Sequence, residues 1–75
     1  MIKEHERIVL TGDLDAEGLK PGDVGTVVHV HSKGEAYEVE FVMLDGQTVT
    51  VTTLQASQLR PIGHHEIAHA RLLAD

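Results

Sequence analysis

The sequence predicts an all-β fold, a small five-stranded barrel with a short C-terminal tail that is helical or disordered. Three observations carry this. Hydropathy has period two nearly everywhere from residue 7 to residue 53. Glycine, proline and aspartate separate the runs. The order of signals is five short strands, with one long loop after the first and a single helical turn before the fifth.

The first strand is Arg7 to Thr11, with Ile8 and Leu10 on one side. Residues 12–23 follow as a long exposed loop rich in glycine and acid, and Pro21-Gly22 suits the centre of a type II turn. The second strand, VGTVVHVH, is expected to turn Val24, Thr26, Val28 and Val30 inward. The third, AYEVEFVML, sends Tyr37, Val39, Phe41 and Met43 inward and Glu38 and Glu40 outward. A hairpin turn at Lys33-Gly34 places Val30 opposite Tyr37, Val28 opposite Val39, Thr26 opposite Phe41 and His29 opposite Glu38. A three-residue loop, Leu44-Asp45-Gly46, keeps the next apolar faces in phase. It pairs Phe41 with Val49 and Val39 with Val51, leaving Thr48, Thr50 and Thr52 to solvent. LQASQ is the helical turn and LRPI the last strand, confined to an edge by Pro61. With so short a link between the third and fourth strands, an SH3-like barrel is favoured over an oligonucleotide-binding barrel. The barrel should span residues 1–62 and the tail residues 63–75.

Composition narrows the function. Six basic residues against twelve acidic ones give a formal charge of −6. Lys3, Arg7, Lys20, Lys33, Arg60 and Arg71 are scattered, which disfavours nucleic acid as a partner. Tyr37 and Phe41 are the only aromatics, too few to stack bases or to line a groove for proline-rich peptides. There is no cysteine, consistent with a reducing, cytoplasmic setting, and no signal-like or membrane-spanning apolar run. A chain of 75 residues buries only about 60% of its unfolded surface, so its stability is marginal and a stabilising partner or self-association is expected. Neither a cofactor nor a small-molecule substrate is implied.

The runs GLKPGDVGTVVHV and GEAYEVEFVMLDGQTVTVTTLQASQLRPI closely resemble a family of short bacterial proteins, domain of unknown function 4926, over roughly residues 1–62. The resemblance implies an SH3-type barrel and brings no activity or cofactor with it. More loosely, PGDVGTVV is similar to the opening strand of KOW barrels, in which the glycine matching Gly25 lets the strand bend. The acidic first loop departs from the basic loops of RNA-gripping members. A nucleic-acid- or ribosome-associated barrel is therefore the alternative, beside an antitoxin- or immunity-like accessory partner.

One motif points elsewhere. His65-Glu66-Ile67-Ala68-His69 matches H-E-x-x-H, the helical signature of zinc peptidases, with two ligands one turn apart and a glutamate base. A catalytic zinc needs a third protein ligand. Among the six residues after His69 only Asp75 is a carboxylate. On a continuous helix it would lie about 280° around and about 15 Å along from His65. A zinc hydrolase is thus the least favoured reading, and His64, His65 and His69 are adventitious metal ligands at most. His29 and His31 with Glu38 or Glu40 form a second candidate pair, weighed against plain solvated residues; Asp13, Asp15 and Glu17 lack a calcium-loop pattern. The favoured function is a non-enzymatic protein-interaction or accessory module. Its candidate contact residues are Val27, Val42 and Leu44, with Val27 expected opposite Glu40 on the barrel wall, and Leu72 and Leu73 of a short tail helix.

Overall fold

A computed structural model describes residues 2–73. The chain forms β1 (Arg7–Leu10), β2 (Val24–His31), β3 (Ala36–Val42), β4 (Thr48–Gln55) and β5 (Leu59–Pro61). Two single 3-10 turns, Asp15–Glu17 and Ala56–Gln58, are the only helical pieces among the described residues. All pairings are antiparallel, in the order β4-β3-β2-β1-β5. This order, the long β1–β2 loop and the 3-10 turn before β5 form the SH3-like arrangement that the turn signals predict.

The turns follow from their residues. Gly22 takes φ +97°, and the Asp23 N–H donates to the Lys20 carbonyl at 3.1 Å, closing the Pro21-Gly22 turn. Between β3 and β4 the Met43 N–H donates to the Gln47 carbonyl at 2.7 Å. That closes the three-residue loop with Gly46 at φ +98°. The β2–β3 loop is wider than expected. It runs from Ser32 to Glu35, with Ser32 and Lys33 also at positive φ, but it is centred at the same point and keeps Val30 opposite Tyr37 and His29 opposite Glu38.

Two β-bulges overturn half of the expected register. In β2 Val27 faces Val39 and His29 faces Glu38, so Val28 is an extra residue. Before the bulge Gly25 and Val27 point inward while Val24 and Thr26 point out; beyond it Val30 reaches the core. In β4 Phe41 faces Thr50 and Val42 faces Thr48, which makes Val49 the extra residue. Thr50 and Thr52 therefore oppose buried Phe41 and Val39 instead of facing solvent, and Val51 is exposed. Met43, expected inside, is also exposed.

The core is Ile8, Leu10, Leu19, Val27, Tyr37, Val39, Phe41, Leu54 and Leu59. Each fully buried aliphatic or Phe side chain contributes about 1.5–3 kcal/mol before ordering entropy is subtracted. Leu19 comes from the acidic loop. A bridge between Leu14 and Leu19 folds that loop back on itself and drives the second leucine inward. At Gly25 side chains and backbone of β3 come close to β2. A Cβ there would sit 2.6 Å from Val39 Cγ1 and 2.9 Å from Phe41 Cε1.

The tail forms no helix: residues 62–73 run as irregular chain. Tertiary ion pairs displace the helix. Arg60 grips Glu66 at 2.8 and 2.5 Å, and Arg71 grips Asp23 at 2.9 and 2.5 Å. An isolated helix of about 12 residues is marginal in water, and both pairs hold the tail on a non-helical path.

Candidate protein-binding face

The outer face of the sheet is zoned by the register. In one row Arg60 of β5 pairs with Val9 of β1, and Val9 with Val24 of β2. Extending the Thr26–Glu40 pairing by two residues brings Val42 of β3 alongside Val24. In the next row lie Arg7, Thr26, Glu40 and Val51, and beyond the bulge lie His29, Glu38 and Thr53. One end of the face is thus apolar, the middle mixed, and the other end built of histidine and acid.

The apolar end extends past the sheet. Val42 is 51% exposed and Leu44, at the loop tip, 90%. Val24, Met43 and Ile62 are exposed beside them. The irregular tail crosses this end and encloses two hollows. One, of about 640 Å³, is lined by Val9, Val24, Val42 and Ile67 together with the charged Arg7, Glu40, Arg60 and Glu66. The other, of about 290 Å³, is floored by Leu19, Phe41 and Val49 and closed by Leu73. Val9 lies on the outer face yet is buried, and the tail residues Ile62, Glu66, Ile67 and Ala68 line the same hollow. Ile67 lines both hollows while remaining 93% exposed, so the tail arches over the groove without filling it.

The contact residues expected from sequence part company here. Val42 and Leu44 stand on the exposed apolar end. Leu72 is exposed on the tail; Leu73 is half-buried against the core. Val27 is corrected: it is 0% exposed and faces Val39 rather than Glu40, because the bulge at Val28 turns it inward. Sequence reasoning missed Val24, Met43 and Ile62, which the register shift and the loop closure place outside.

The histidines fall into two groups. At the β2–β3 end His31 Nε2 lies 2.9 Å from Glu38 Oε2, and His29 Nδ1 lies 3.4 Å from Glu4 Oε2. The rings of His29 and His31 meet edge to face at 4.6 Å. The Thr53 hydroxyl and His31 hold the Glu38 carboxyl below its ordinary value. In the tail His64 and His65 meet edge to face, and His65 sits at φ +63°. That backbone breaks the helical face on which His65 and His69 would share an ion. Glu66, the base of the zinc motif, is instead bound by Arg60 and the Gly63 N–H, which lower its carboxyl to about 2. A carboxylate so stabilised is a poor proton acceptor near neutrality. Among the described residues no three histidine or acidic side chains converge on one point, and Asp75 lies outside them.

The model of the family described as Domain of unknown function (DUF4926) matches residues 4–61. The chain belongs to this family. The match takes in every strand of the DUF4926 domain and stops where the tail begins, so Glu66 and Arg71 lie outside the matched segment. No curated protein and no solved structure matches the chain.

Proposed function

We propose that this DUF4926 chain is a non-enzymatic protein-interaction module whose contact surface is the apolar end of its outer sheet face. The observation that carries the reading is the contiguity of Val24, Val42, Met43 and Leu44, which are exposed together beside a largely apolar groove. Monomeric proteins rarely leave such groups contiguous without a contact to make. Arg7, Glu40, Arg60 and Glu66 in the same lining add the polar groups that protein interfaces carry beside their apolar contacts. The acidic balance and the engagement of Arg60 and Arg71 in ion pairs favour a protein partner over nucleic acid. A cytoplasmic setting goes with the lack of cysteine. No helix among the described residues is long and apolar enough to cross a membrane.

The test compares the wild type with Val42→Asp/Leu44→Asp as bait in extract of the source cells, with solution mass measured in parallel. Both side chains are exposed, so the variant keeps its fold. The reading expects a partner or self-complex retained by the wild type and lost by the variant. Identical retention by both would overturn it.

A further inference from the structure

The β1–β2 loop holds a second built feature, beside the apolar end. Asp23 is fixed by its own turn: the Lys20 N–H donates to Asp23 Oδ2 at 2.8 Å. Its carboxylate and the Gly18 carbonyl face the same way. Arg71 uses both, with Nε on Oδ1 at 2.9 Å and Nη2 on Oδ2 at 2.5 Å and on the Gly18 carbonyl at 3.0 Å. Two residues on, Leu73 packs against the core and closes the hollow floored by Leu19, Phe41 and Val49. Its Cδ1 lies 3.9 Å from where a Cβ on Gly18 would stand. The barrel side of these contacts thus reads an extended segment as arginine, any residue, leucine. The middle residue, Leu72, is 95% exposed and unread.

We infer that Asp23, the Gly18 carbonyl and the adjoining leucine hollow form a docking site for an arginine-x-leucine segment supplied in trans by the tail of a second copy of this chain. The inference rests on the interaction-module reading and names one partner for it. The complementary segment is present in every copy, and Arg71 matches Asp23 in charge and fork geometry. Between its two ion-paired anchors the tail has no regular structure, so exchange sacrifices no helix or strand. The connecting residues 62–65 include His65 at positive φ, a conformation that an opened hinge relieves. Exchanged contacts are those already made within one chain, so the cost is that of association. Self-repulsion of chains at −6 opposes it, and salt screens that repulsion.

The test uses two full-length variants, Asp23→Arg and Arg71→Asp. Each places like charges at both positions within its own chain. Mixed in equal amounts, each tail meets its opposite charge only in the other chain. Light scattering should show monomers separately and a 1:1 heterodimer of twice the mass in the mixture, while the double variant Asp23→Arg/Arg71→Asp, paired within one chain, behaves like the wild type. Leu73→Ala in both partners should weaken the heterodimer at least tenfold. A mixture in which folded variants remain monomeric would overturn the inference. Should a variant fail to fold, isotope-filtered NMR on mixed-label wild type decides. Leu73 methyl contacts to Leu19 between chains support exchange, and contacts only within one chain overturn it. Failure here is distinguishable from failure of the interaction-module reading: Val42 and Leu44 also line this hollow, but Asp23→Arg and Arg71→Asp leave both side chains in place, so the Val42→Asp/Leu44→Asp comparison still stands.

Discussion

Gly25→Ala tests the packing at the centre of the sheet. The added Cβ would lie 2.6 Å from Val39 Cγ1, 2.9 Å from Phe41 Cε1 and 3.1 Å from the Glu40 carbonyl oxygen. None of the three can yield cheaply, since Val39 and Phe41 are buried in the core and Glu40 O belongs to the backbone of β3. Overpacking of this kind costs about 1–3 kcal/mol. The loss of glycine's extra freedom in the unfolded chain returns about 0.4–1 kcal/mol. The net loss is about 1–2 kcal/mol, and for a domain this small each kcal/mol is worth roughly 4–8 °C. Thermal unfolding followed by circular dichroism should therefore show a fall of roughly 5–15 °C. Gly12→Ala is the control: a Cβ there has no neighbour within 4 Å. Equal melting temperatures for the two variants would refute the close approach of β2 and β3.

The remaining predictions bear on register, pH and the tail. Val27→Asp buries an unpaired charge and should abolish cooperative unfolding, whereas Val28→Asp, on the bulge and exposed, should stay within about 0.5 kcal/mol of the wild type. The outward face first expected for Val27 requires the opposite order. Partial burial pushes the Asp23 carboxyl up, but Arg71 and the Lys20 N–H outweigh it and hold it below the ordinary range. A depressed carboxylate stabilises above its unfolded value of about 3.9 and loses that contribution as pH falls through the folded value. Urea midpoints of the wild type and Asp23→Asn should therefore differ at pH 7 and converge toward pH 2; a gap that widens in acid would contradict the pairing. Arg71→Ala should release the end of the tail, seen as raised fast backbone mobility at residues 68–73 in 15N relaxation with the strands unchanged; unchanged relaxation there would contradict the pairing.

The strands were legible because period two is written plainly in Tyr37, Val39 and Phe41, and the turns because Pro21-Gly22 and Asp45-Gly46 admit few conformations. Faces were legible on β1, on β3 from Tyr37 to Phe41 and at the hairpin end of β2, and failed on the side of each bulge away from its hairpin turn. Val27 and Val30 are three residues apart and Val49 and Leu54 five. Both members of each pair reach the core only if one extra residue is inserted, and strict alternation hides that odd spacing. Leu19 was hidden by its acidic neighbours, although Leu14 and Leu19 are the apolar pair that closes the loop. The tail misled for a different reason. Its Ala, Leu and Glu residues favour a helix locally, while the partners of its charged side chains stand outside it: Arg60 just before the tail, off the helical i,i+4 spacing, and Asp23 48 residues away. On the candidate face, Val42 and Leu44 stood out as breaks in the outward polar pattern. Val24 and Ile62 became surface residues only through tertiary packing.

The central claim, that the apolar end meets another protein, is most directly tested by a photo-crosslinking side chain placed at Leu44. That tip is almost fully exposed, so the substitution leaves packing intact. The same probe at exposed Glu35, on the β2–β3 loop, serves as the comparison. Irradiation in the source cells should yield a discrete heavier adduct from position 44 and none from position 35. No adduct at 44, or the same diffuse set from both positions, would contradict the account.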